Sequence, residues 1–173
     1  MVKKEIVAAI FIFIFSLLQN TLFSALSLGG IAPDLIMILA VSYGFMLGRK
    51  AGLFVGFTAG FIMDLFFGVV LGFYALCYMF VGFFAGHFHE PFFKEDIRLP
   101  LGMVVIGELG YNFVFYIIQF LLRGRFQLPF YFLHIMIPKV IYTVVLTLVL
   151  YPVILFVNRK LDELEKKGAK KLD

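Results

Sequence analysis

Between Ala51 and Gly86 the chain carries one charged residue, Asp64. A soluble domain does not sustain so long a stretch without charge. A lipid-embedded chain is driven to it, because a charged side chain at the centre of a membrane helix costs roughly 2.5–3.5 kcal/mol on insertion scales. As a single helix the stretch would reach about 54 Å, against a hydrocarbon core of about 30 Å. It therefore reads as two spans, and the break falls in "FFGVVLG", at Gly68 and Gly72.

The rest of the chain agrees. It is 62% hydrophobic and 15% charged, with a mean hydropathy of +1.02. Soluble domains run at roughly 45–50% apolar and about 25% charged. The class is an integral membrane protein. The net charge of +4 is not a nucleic-acid signal, because the basic residues sit at the ends of apolar runs, where they report topology. The single cysteine, Cys77, excludes a disulfide within the chain and reads as an apolar packing residue. With 24 Phe and no Trp, an aromatic belt falls to Tyr and Phe. The opening "MVKKEIVAAIFIFIFSLLQN" has the outline of a signal peptide but no clear small-x-small cleavage site, so an uncleaved first span is expected.

Six spans follow: Ile6 to about Leu28, Pro33 to Gly48, Ala51 to Phe67, Val70 to Phe88, Leu99 to about Leu122, and Phe130 to Val157. The expected fold is all-α, a polytopic transmembrane helical bundle forming one domain over residues 1–157, with a basic cytoplasmic tail over 158–173. With the N-terminus inside, Lys3, Lys4, Arg49, Lys50, Lys94, Arg98 and the basic residues of the tail all fall inside. The outer connections keep only Arg123 and Arg125. That asymmetry predicts an N-in/C-in arrangement. The tail reads as a solvated charged end, with basic residues that favour anionic lipid headgroups.

Glycines at 44, 48, 52, 56 and 60 recur every four residues, and Gly82 and Gly86 repeat the spacing. In lipid, small residues on one face let helix backbones approach closely. The third span is accordingly expected to be a central helix with a flat glycine face. That face would either pack within the chain or receive a separate helix.

Few polar residues stand at membrane depth. Counting from the inner ends of the spans, Asp64 lies about 20 Å up and Lys139 roughly 27 Å, both toward the outside. The two are expected to pair. Gln19, Asn20, His134 and Asp34 also fall toward the outer side; Asp34, in "APDL", stands where a helix N-cap would. Glu108 lies near 15 Å, at the midplane. Asn112 and Gln119 follow it at i+4 and i+11 on nearly the same face, with Tyr111 beside them. Such a stripe must face other protein, since lipid offers no hydrogen bonds. It reads as an inter-helix network, a proton or ligand site, or a contact with another protein's helix.

No nucleotide, hydrolase or zinc-protease motif is present, and no nucleophile has a base near it in sequence. In "HFHE" the two histidines are two residues apart and do not share a helix face, so no metal site is expected. The expectation is a protein that is not an enzyme and carries no cofactor.

Two segments, "IAPDLIMILAVSYGFMLGRKAG" and "GFTAGFIMDLFFGVVLGFYALCYMFVGFFAG", resemble the bacterial rod shape-determining protein MreD family. The resemblance rests on Pro-Asp at the start of the second span and on a block of Gly56, Gly60, Asp64, Gly68 and Gly72. It covers Ile31 to Gly86, about a third of the chain. It implies a scaffold in the inner membrane that binds MreC and works with MreB, RodA and penicillin-binding protein 2 in lateral wall synthesis. The pattern is also similar to the substrate-binding components of energy-coupling-factor vitamin transporters. That likeness supplies the alternative: a subunit with an outer cavity lined by Asp64, Gln19, Asn20, His134 or Lys139.

Overall fold

The computed structural model describes residues 2–21, 27, 30–68, 70–89, 97–119 and 128–169. Over these the chain forms α1 (Val2–Asn20), α2 (Leu35–Leu47), α3 (Arg49–Phe67), α4 (Phe73–Ala85), α5 (Arg98–Gln119), α6 (Leu128–Tyr131) and α7 (Ile137–Ala169). A 3-10 turn, Gly86–Phe88, continues α4, and a π-turn, Phe132–Met136, links α6 to α7. Two segments, Arg98–Ile118 and Pro129–Leu164, are long and apolar enough to cross a membrane, and Leu35–Leu47 and Phe73–Phe88 are shorter apolar helices.

The π-turn has a cause in the sequence. Pro138 lacks an N–H and its ring crowds the carbonyl four residues back, at His134. Widening the preceding turn relieves that crowding, and the Ile137 N–H bonds to the Phe132 carbonyl, five residues back.

The central helix is α2, not the expected α3. Every residue from Leu35 to Met46 is buried, and α2 packs against α1, α3, α4, α5 and α7. Its sequence, "LIMILAVSYGFML", is apolar on all sides, as a fully enclosed helix requires. At thirteen residues it is about 20 Å long, short of a bilayer core. Enclosure makes that length acceptable, since its ends meet protein rather than lipid. By contrast α3 turns one face outward, with Phe54, Phe57, Phe61 and Leu65 exposed.

The glycine face of α3 is covered from within the chain. A Cβ on Gly52 would strike the Gly82 carbonyl, and one on Gly82 would strike the Gly52 carbonyl. A Cβ on Gly56 would meet the Tyr78 carbonyl, and one on Gly60 would come within 2.6 Å of the Tyr74 carbonyl. Gly44 of α2 faces the same crossing, against Gly82 and Gly86. The seam is thus a backbone-to-backbone contact of α3 with α4, closed at one end by α2. Its glycines are not free to receive a separate helix.

One residue, Gly48, separates α2 from α3. Its φ of 93° is open to glycine and strained for other residues. The turn leaves carbonyls at the end of α2 without intrahelical partners. His89 answers one of them, with Nδ1 2.8 Å from the Phe45 carbonyl oxygen. At the same end of the bundle, Lys4 of α1 and Asp162 of α7 form an ion pair at 2.5 Å, which places the start of the first helix beside the last turns of the final one.

Candidate functional site

Asp34 precedes α2 in an extended conformation and accepts a hydrogen bond from the Met37 N–H at 2.9 Å through Oδ1, closing the helix as an N-cap. Gln19 of α1 braces the same turn. Its Nε2 donates to the Pro33 carbonyl at 2.8 Å, and its Oε1 accepts from the Leu35 N–H at 2.6 Å. The Asp34 N–H donates to Thr143 Oγ1 on α7 at 3.0 Å. Three elements therefore converge on one turn before any charge is considered.

The other oxygen of Asp34 faces inward. Tyr78 donates its hydroxyl to Oδ2 at 2.6 Å, and Lys139 Nζ stands 3.5 Å from it. The same ammonium is 3.5 Å from Glu108 Oε2 on α5 and lies over the Tyr111 ring at 4.5 Å. Glu108 is fully buried and Asp34 nearly so, at 0% and 2% exposure. Asn112, one turn after Glu108, donates to Oε2 at 2.8 Å, and Thr143 lies 3.0 Å from Oε1. Around this core Tyr74 and Tyr78 stack, Tyr78 and Tyr111 stack, and Tyr111 leans on Phe115.

Magnitudes decide what such a cluster is for. Removing an ion from water costs several kcal/mol even after relaxation, and only close opposite charge with full hydrogen bonding offsets it. Here one lysine bridges two carboxylates that come from different helices. The net gain in stability is small, but a buried charge left without its counter-ion costs much more. The cluster joins the mouth of α2 to α5 and α7.

Asp64 stands apart from this cluster and does not pair with Lys139. Its Oδ1 accepts from the Tyr74 N–H at 3.0 Å and its Oδ2 from the Ala75 N–H at 2.8 Å. These are the second and third N–H groups of α4, whose own N-cap position is Gly72 and offers no side-chain bond. A carboxylate from α3 thus caps the following helix, where exposed N–H groups and the positive end of the dipole favour negative charge. Gly72 supplies the left-handed φ of 93° that brings the chain round. At Gly68 a Cβ would meet the Asp64 carbonyl at 2.6 Å. Gly56, Gly60, Asp64, Gly68 and Gly72 together form one helix–turn–helix unit.

The depth count misleads for a physical reason. It places Lys139 about 12 Å above Glu108, yet the two are in contact. The count follows backbone rise alone and leaves out the reach of the long Lys139 and Glu108 side chains, whose tips meet at 3.5 Å. Asn112 lies where the polar stripe needs it. Gln119 ends α5, and its side chain lies outside the described residues, as do Lys94, Arg123 and Arg125. His134 is exposed and stacks on Phe130. Thr143 and Tyr78 complete the cluster without a motif of their own. The available signals were Thr143 one turn beyond Lys139, and Tyr78 one turn beyond Tyr74.

Among the described residues, most of the polar groups expected to line an outer cavity are bonded within the chain. Both oxygens of Asp64, the amide of Gln19 and the Asn20 Nδ2, which donates to the Ser16 carbonyl, bond within the chain. Grooves of about 430, 480 and 320 Å³ are lined almost wholly by apolar side chains such as Phe113, Ile141 and Phe84. Among the described residues no group of three His, Cys, Asp or Glu is placed to hold a metal.

A protein-family model described as rod shape-determining protein MreD matches residues 3–161. No curated protein and no solved structure matches.

Proposed function

Because the chain belongs to the rod shape-determining protein MreD family, we propose that it serves bacterial shape determination as a multi-pass inner-membrane scaffold. It binds MreC and helps position RodA and penicillin-binding protein 2, coupled to MreB, for lateral wall synthesis. The family is membrane-associated and shape-determining, and is not a known enzyme family. Six spans with both ends in the cytoplasm are the topology of this reading. The Lys4–Asp162 pair supports it, since both termini then share one side.

One observation carries the scaffold reading: Asp64 and the Asp34–Lys139–Glu108 cluster are bonded within the chain, while the outer faces carry large apolar side chains. Ile6, Ile10, Phe13 and Leu17 of α1 are exposed, as are Phe54, Phe57, Phe61 and Leu65 of α3. A protein built this way works through its surface. Co-purification from native membranes in mild detergent, read by mass spectrometry, tests it. Recovery of MreC or a peptidoglycan synthase is the expected result. An ATPase module with a bound vitamin would overturn it in favour of the transporter subunit.

A further inference from the structure

We propose that the Asp34–Lys139–Glu108 cluster is a proton-binding site, with one proton resident on Glu108 Oε1 and donated to Thr143 Oγ1. The first argument is charge. The titratable groups facing Glu108 are Lys139 from α7, Asp34 from the turn before α2, Tyr74 and Tyr78 from α4, and Tyr111 from α5. Two carboxylates meet one ammonium, so without a proton the cluster holds one uncompensated negative charge, with both carboxylates buried among apolar helices.

The second argument is hydrogen-bond inventory, and it selects Glu108 over Asp34. Asp34 is served as a carboxylate: Oδ1 accepts from Met37 N–H, and Oδ2 from the Tyr78 hydroxyl and Lys139. Glu108 Oε2 is likewise served, by Asn112 and Lys139. Oε1 has only Thr143 Oγ1, at 3.0 Å. That hydroxyl has a single hydrogen and a second acceptor at 2.9 Å, the Lys139 carbonyl, while it already accepts from the Asp34 N–H. With the proton on Oε1, Thr143 donates back along its own helix and accepts from both Asp34 and Glu108. Every short oxygen–oxygen distance then holds one hydrogen. No bond is made or broken beyond the transfer of this proton from solvent during folding. The proton ties α5 to α7 through Thr143, and through the same hydroxyl to the mouth of α2.

Infrared spectroscopy of the full chain in detergent micelles at neutral pH tests the site. Exposed Asp and Glu are ionised there, so a neutral carboxylic C=O stretch reports a buried acid. The expected result is one such band in the unaltered protein, lost in Glu108→Gln and lost also in Asp34→Asn, where Lys139 balances the one carboxylate that remains. Glu108→Gln, an isostere of the neutral acid, is expected to hold its melting temperature within about 2 °C, with Glu108→Ala lower by roughly 5 °C or more. Absence of the band in the unaltered protein overturns the proposal without any variant. So does a band that survives Glu108→Gln, or a Glu108→Gln protein as unstable as Glu108→Ala.

Discussion

Lys139 is the residue on which the buried cluster depends. Lys139→Met leaves Asp34 and Glu108 facing each other without a cation, and loss of one member of a buried ion group costs about 3–5 kcal/mol. Unfolding of the purified variant in detergent should show that loss, with Lys139→Arg retaining part of it. Asp64 makes a separate prediction. Asp64→Ala frees one buried and one part-buried N–H group at the head of α4 and is expected to cost about 2–4 kcal/mol. Exchanging the charges of Asp64 and Lys139 should give no rescue, because each has its own partners. Asp34 was legible in the sequence, since a cap bonds three residues onward and "PDLIM" contains both ends of that bond, Asp34 and Met37. The bridge from Lys139 to Asp34 was not. Its partners are 105 residues apart, and nothing in either segment names the other.

At the scale of elements, the glycine seam and the open glycines of α5 make opposite predictions. Gly52→Ala or Gly82→Ala forces α3 and α4 apart and should cost about 1–3 kcal/mol, as overpacking does. Gly110→Ala adds a methyl group where nothing lies within 4 Å, and should leave stability unchanged or raise it by about 0.5–1 kcal/mol through helix propensity. A pair of thermal melts separates the two classes. The helices and the turn at Gly68–Gly72 were legible, because apolar run length and glycine placement are local signals. The rank of α2 and α3 was not. In a membrane protein a helix apolar all round faces lipid or neighbours equally well, so only the packed bundle shows that α2 is the one enclosed.

For the whole molecule, the ion pair between Lys4 and Asp162 predicts that both ends report the same compartment. Reporter domains fused to either terminus should both be active on the cytoplasmic side, and an opposite-side signal from one of them would break the six-span topology. Interior and exterior also divide the chain's tolerance. Substitution of exposed Phe54 or Phe61 by Leu should leave the folded protein intact, so any loss of rod shape in cells carrying those changes would mark a contact surface rather than a folding defect. Circular-dichroism melts alongside cell imaging distinguish the two.

The capping of α4 by Asp64 has a consequence for biogenesis. A helix whose start signal lies in its own sequence can begin as soon as it is made. The start of α4 lacks that signal, for Gly72 offers no side chain, and the acceptor is ten residues upstream in α3. During synthesis Asp64 leaves the ribosome first and awaits the N–H groups it will hold. The α3–α4 hairpin is therefore expected to enter the bilayer as one insertion unit, with the translocon releasing both arms together.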